Sequence, residues 1–194
     1  MSLTPAGKRL MLNGITPTTM RLHTGYPGTT GANEVTGGAP AYAAKSCSYP
    51  VSSAGEPRQL SASVIFDVPA CSVKWASVWQ GAEMIFIAPT AGNPYEFSAD
   101  LVANTIRVPS HGLVAGDKVV FYLDTPPNPI VAGTEYFVVN PTTDDFQVSA
   151  TSGGSAINIT AQAGSGCLVS KLVARVYAAQ DTHTVSTFPV GMPN

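Results

Sequence analysis

From residue 59 onward, apolar and polar positions alternate in short runs. Residues 59–68 (QLSASVIFDV) place Leu60, Ala62, Val64, Phe66 and Val68 on one face, the period of two of a half-buried strand. Residues 73–79 (VKWASVW) and 83–88 (EMIFIA) follow after brief breaks, then runs at 103–108, 118–123, 134–140, 146–149 and 156–160. A long run covers 167–178, and 182–188 ends the set. Short strands with turns about every ten residues predict a sandwich or barrel, and 16 prolines and 18 glycines provide the turns. The one segment with helical character is 5–12 (PAGKRLML), which is equally compatible with an extended arm. The predicted class is all-β.

The pattern also divides. Between residues 97 and 171 lies a self-contained series of strands and turns: HGLVAGDKVVFY sets a Gly-Asp turn before an apolar strand, GTEYFVV repeats the scheme, and TTDDFQVSATSGGSAINIT adds two strands around a Gly-Gly turn. Only 23 residues follow residue 171, too few for a further domain. The reading is therefore a jelly-roll-like β-sandwich host, residues 1–96 with 172–194, carrying a small β-barrel or β-sandwich insert, residues 97–171. Insertion into a strand-to-strand loop is tolerated where the module's ends lie close together.

One segment fits neither pattern. Residues 22–42, LHTGYPGTTGANEVTGGAPAY, contain a single charged side chain, Glu34, and too much Gly and Pro for a helix. Charge is scarce throughout: 11% of the 194 residues, against about 25% in ordinary domains. A surface so poor in charge is suited to coverage by partners. The net charge of −2 offers no basic cluster for a phosphate backbone, so no direct nucleic-acid binding is expected. No run approaches the roughly 18 apolar residues of a membrane span, and the N-terminus lacks the apolar stretch of a signal peptide. Soluble synthesis in the cytoplasm, with no membrane partner, is the expectation.

Chemistry-bearing residues are sparse. His23, His111 and His183 with Asp67, Asp117 and Asp181 nominally supply a base and an orienting acid for a serine, yet no GxSxG elbow or other catalytic motif surrounds them. His111 reads as a turn residue whose imidazole satisfies backbone groups. Gly164–Gly166 lacks the βαβ context of a dinucleotide loop. Asp144 and Asp145 form an adjacent pair at a turn, expected to be solvated, with too few ligands for calcium. Cys47, Cys71 and Cys167 form no CxxC pair and read as buried or incidental thiols. No enzyme activity, cofactor or metal is expected. Trp75 and Trp79, four apart on one strand and neighbours of Phe86, read as sandwich core or, alternatively, as an aromatic platform for sugar. Tyr95 is a further aromatic beside the insert.

Two stretches resemble bacteriophage virion proteins. LHTGYPGTTGANEVTGGAPAYA (residues 22–43), followed by IFDVPA (65–70) and a Trp-containing strand, resembles the LHT-x-x-PG-x-x-GANEV-x-GG-x-x-YA segment of small phage structural proteins described as minor structural or tail-fibre-like. NTIRVPSHGLVAGDKVVF (104–121), GTEYFVV (133–139) and DFQVSATSGGSAI (145–157) resemble a separate β module found in many phage surface and tail proteins, with Asp145 where that module more often has Thr or Asn. The resemblance implies a virion component made in the bacterial cytoplasm. With no heptad or collagen-like shaft, the favoured role is a capsid decoration (cement) subunit that binds the major capsid protein and copies of itself, as a trimer. The alternative is a tail-tip, tail-fibre or receptor-binding subunit that contacts a host surface glycan or receptor. The candidate subunit-contact loop comprises Tyr26, Pro27, Asn33, Glu34 and Tyr42. It is expected to become ordered against a neighbouring subunit or, alternatively, to pack on its own sandwich. The candidate exposed insert surface comprises Tyr122, Pro126, Pro127 and Asn128.

Overall fold

Alternation becomes strands wherever the apolar face finds a core. The structure, a computed structural model, describes residues 5–51, 53 and 57–191. Helix α1 (Pro5–Gly14) precedes β1 (Thr19–His23), β2 (Lys45–Ser46), β3 (Val64–Val68), β4 (Cys71–Val73), β5 (Trp75–Gln80) and β6 (Glu83–Pro89). Next come β7 (Pro94–Tyr95), β8 (Ser98–Asp100), β9 (Thr105–Arg107), β10 (Lys118–Tyr122), β11 (Glu135–Val139), β12 (Asp145–Ser149) and β13 (Leu168–Lys171); β14 (Arg175–Tyr177) and β15 (Asp181–Val185) close the series. The fold is all-β and sandwich-like, with antiparallel sheets and no closed barrel among the described residues.

Two compact units emerge: Met1–Thr90 with Arg175–Asn194, and Ala91–Ala174. In the first, the sheet β2-β1-β5-β6 sends Met20, Leu22, Ala76 and Val78 into a core that β3, β4, β14 and β15 close from the other side with Val64, Phe66, Val68, Val73, Tyr177 and Val185. Those four strands form one two-stranded ribbon in two segments, β3 with β15 and β4 with β14. Of the expected face of residues 59–68, Val64, Phe66 and Val68 are buried, whereas Ala62 is exposed ahead of the strand.

The second unit is one antiparallel sheet of order β7-β13-β10-β11-β12-β9-β8. Ala99, Ile106, Phe146, Val138, Phe121 and Val169, from six of its strands, share a single core, so the sheet curls around its own apolar face. Both edges of the insert differ from the sequence reading. Residues 91–96 belong to the module because β7 pairs with β13, Val169 opposite Tyr95. The expected long strand over 167–178 breaks between β13, which pairs with β10, and β14, which pairs with β4. The expected strand at 156–160 is irregular chain that bonds through Ile157 N to Val148 O at 2.8 Å and Thr160 N to Asn128 O at 2.8 Å.

The host ends that flank the insert are anchored side by side. Thr90 N donates to Lys74 O at 2.9 Å, and Arg175 pairs with Val73, the preceding residue. Replacing residues 91–174 with a short Gly/Ser linker is therefore expected to leave a β protein that melts in one cooperative transition. Calorimetry of that deletion variant checks the expectation, and a broad, non-cooperative melt would refute independent folding of the host.

Candidate functional site

Strand β1, TMRLH, buries one face fully and the other in part. Met20 and Leu22 point into the first unit's core, so Arg21 and His23 lie on the opposite face, beside Trp75, Ser77 and Trp79 of β5 (Arg21 opposite Ser77, His23 opposite Trp75). The charge-poor segment after β1 folds back over this second face. Thr24 N donates to Asn33 O at 2.9 Å and Val35 N to Leu22 O at 3.0 Å, closing the loop at its base. Gly31 and Ala32 both donate to Pro27 O at 3.0 Å. Gly31 has φ +76°, and a Cβ there would sit 2.5 Å from the Trp79 ring, so only glycine permits this approach. The loop is a lid over an aromatic face. On the lid's inward side the lack of charge has the same origin, since a charge against the aromatic rings would be desolvated.

Under the lid lies a sealed polar chain. The imidazole of His23 contacts Ala32 O through Nδ1 at 2.8 Å and Ser77 Oγ through Nε2 at 2.7 Å, while Trp79 Nε1–H donates to Ser77 Oγ at 2.7 Å. A carbonyl only accepts, so Nδ1 carries the proton and Nε2 accepts from the Ser77 hydroxyl. Burial pushes the His23 pKa below its ordinary value, against smaller raising effects from Ala32 and Glu34 and a lowering one from Arg21. The Ser–His pair has a base's geometry, but both side chains are 0% exposed, so no substrate atom reaches Oγ. Sequence reading missed Ser77 as the partner of His23, since only strand register brings them together.

The candidate contact residues divide between lid and surface. Tyr26 packs edge-on against Trp75 with centroids 5.1 Å apart, and Pro27 is buried. Tyr42 stacks on Phe66 and accepts the Leu22 N–H at 2.7 Å through its hydroxyl. Glu34 pairs with Arg21 at 3.0 Å, whose guanidinium lies 4.4 Å over the Trp79 ring. Of the five, only Asn33 is exposed, and its amide donates to Tyr26 O at 2.9 Å. Of the two expectations for the loop, packing on its own sandwich describes this part: its own sheet holds it. Trp75 and Trp79 are buried by the lid, outside the sandwich core, and so offer no sugar platform.

The longest continuous stretch that the loop presents to solvent is residues 36–41, TGGAPA, all exposed and without charge. This stretch is held from the side: Gln180 Oε1 accepts the Ala39 N–H at 3.1 Å, and Gln180 Nε2 donates to Pro40 O at 3.3 Å. Tyr42 N donates to Gly37 O at 2.8 Å, closing the turn.

In the second unit, Tyr122 is not surface at all. It is 1% exposed, because residues 119–122 of β10 are buried on both faces of the strand. Pro127 is buried and Pro126 half-buried; only Asn128 is exposed, with its amide 2.5 Å from Thr160 Oγ1. Tyr95 is half-buried, its hydroxyl 3.4 Å from His111 O. Asp144 and Asp145 are ion-paired rather than simply solvated, at 3.5 and 3.0 Å from Arg107. His111 accepts the Leu113 N–H at 2.8 Å, the turn role its setting predicts, and His183 bonds Tyr177 Oη at 2.8 Å. None of the three imidazoles takes Asp67, Asp117 or Asp181 as a hydrogen-bond partner; Asp67 pairs with Lys45 and Asp117 with Lys171.

The three cysteines are free thiols, and burial pushes Cys47 and Cys167 up to about 11, away from the reactive thiolate. Among the described residues no three His, Cys, Asp or Glu side chains converge as metal ligands. No protein-family model matches the chain, and neither a curated protein nor a solved structure is detectably similar to it.

Proposed function

We propose that the chain is a non-enzymatic structural subunit of a bacteriophage particle that binds the assembled head as a decoration (cement) protein, in contact with the major capsid protein and copies of itself. One observation carries the reading: the uncharged surface at residues 36–41 is fixed in advance by Gln180 and Tyr42. A surface already ordered loses little conformational entropy on docking, roughly 1–2 kcal/mol less per residue than a loop that must fold at the interface. The motif resemblance at residues 22–43 and 104–157 and the charge content of 11% support the same reading. Many weak, symmetric contacts suffice on a lattice, because multivalency multiplies modest affinities.

Particles that lack the protein are expected to assemble normally but to release DNA at lower temperature, since a ligand specific to the intact lattice stabilises it by linkage. Adding back the purified protein restores heat stability, whereas an Ala41→Glu variant, which places a charge on the uncharged surface, does not. Unchanged heat stability together with lost adsorption to cells would replace decoration with the tail or receptor-binding role.

A further inference from the structure

An open groove of about 790 Å3, lined by more apolar than polar surface, runs along the outer face of the second unit at its β8 edge. Register builds its floor. Ser98 stands opposite Arg107, Asp100 opposite Thr105, and Arg107 opposite Asp145, so these five side chains share one face of β8, β9 and β12. Their in-between neighbours Ala99, Ile106 and Phe146 point the other way, into the core. Gln162 also lines the groove, fastened by its amide to Ala99 O at 2.8 Å. Asp100 is held by the N–H groups of Val102 and Ala103 at 2.8 and 2.9 Å, which fixes its carboxylate in place.

The chemistry of this face narrows its ligand. Arg107 is already neutralised by Asp144 and Asp145, so an anion finds no available cation there. The described residues hold no cluster of three metal-ligating side chains, so a metal ion has no ligand set there. What remains is a plane of hydroxyls (Ser98, Thr105) beside acceptors left over from these internal bonds: the second carboxylate oxygens of Asp100 and Asp145, and Gln162 Oε1. Sugar hydroxyls both donate and accept, and a mixed array of this kind matches them without a net charge on the ligand. The volume falls within the roughly 300–1,000 Å3 of small-molecule sites. The exposed Leu101 and Val102 add an apolar lip for a ring face.

We propose that this groove binds a neutral oligosaccharide. The proposal concerns the second unit alone and stands whether the subunit sits on the head or the tail.

The test is amide chemical-shift mapping of the full chain with four neutral probes: maltohexaose, mannohexaose, a galactan hexamer and a chitin tetramer. An alginate hexamer serves as the charged control. Saturable shifts confined to residues 98–107, 142–145 and 162 with at least one neutral probe are expected. The double variant Ser98→Ala/Thr105→Val is expected to weaken that binding about tenfold with an unchanged melting temperature. Absence of saturable shifts with all four neutral probes, shifts mapping elsewhere, or preference for the alginate control would each overturn the proposal. So would unchanged affinity in a folded double variant; should that variant not fold, the wild-type shift map alone decides.

Discussion

Replacing Arg58 with alanine is expected to destabilise the first unit by about 3–5 kcal/mol, the largest single-residue effect anticipated in this chain. Arg58 is 6% exposed, and its guanidinium serves four main-chain carbonyls: Pro50 O at 2.7 Å through Nε, Leu12 O at 2.7 Å and Ile15 O at 2.6 Å through Nη1, and Tyr49 O at 2.6 Å through Nη2. Its backbone adds a bridge to Val190, with N–H···O bonds of 2.8 and 2.9 Å. One side chain therefore joins the end of α1, the 49–50 segment and the C-terminal bridge. Alanine would remove the side-chain donor from four carbonyls, two in buried and two in part-buried bonds, and each buried loss costs about 1–3 kcal/mol before water or local relaxation recovers part of it. Positive charge at the C-terminal end of α1 is lost as well. Lysine carries three donors on a point charge and cannot span four carbonyls, so Arg58→Lys should recover less than half of the loss. Calorimetry should show a melting temperature lowered on the order of 10 °C or more for the Ala variant. A change below about 1 kcal/mol would mean that these bonds are readily replaced by water.

Arg58 also illustrates what sequence patterns conceal. Strands β3, β6, β10, β11 and β12 were legible because apolar side chains at strand spacing meet a core, and the module between the two host segments was legible from its turns. Strand β1 was not, because half-buried Arg21 and buried His23 occupy its second face and read as loop residues; the lid supplies the partners that make this burial tolerable. The junction at 172–174 was hidden in a continuous apolar run. Leu172 still bonds Lys118 O at 2.8 Å, yet Val173 and Ala174 are exposed and β14 starts a different sheet. Tyr122 looked like surface because a run of four apolar residues carries no period from which to tell one face from two. Ser77 had no signature at all, since a lone serine in a strand becomes a histidine's partner only through register.

Acidification is the second large effect expected, and it belongs to the first unit. His23 and His183 are both buried there, and burial lowers both pKa values from the ordinary 6.5; Arg175 lowers His183 further, while Glu34 and Arg21 act on His23 in opposite directions. A histidine whose folded pKa is depressed contributes no pH dependence above about 6.5, where neither state binds the proton. As pH falls below that value, the unfolded chain takes up protons that the folded chain refuses, so stability drops. The slope reaches about 1.4 kcal/mol per pH unit for each imidazole, hence up to about 2.8 for the pair, and flattens once the folded values are passed. Geometry supplies the reason for His23. A proton on Nε2 would face Ser77 Oγ, which already accepts from Trp79 Nε1, and the serine hydroxyl would lose its acceptor beneath the lid. Carboxylates whose pKa values are lowered, such as Asp100 by the Ala103 and Val102 amides and Asp124 by the Thr125 and Gly166 amides, belong to the second unit and lose their contribution only as pH falls through about 4. A denaturant titration of the first unit's tryptophans, repeated from pH 7.5 to 5, should therefore show a midpoint that is flat above about 6.5 and declines below it. In the double variant His23→Gln/His183→Gln that decline should disappear even if the absolute stability is lower. A wild-type midpoint that holds constant down to pH 5, or a decline that persists in the double variant, would show that the two imidazoles do not govern the acid response.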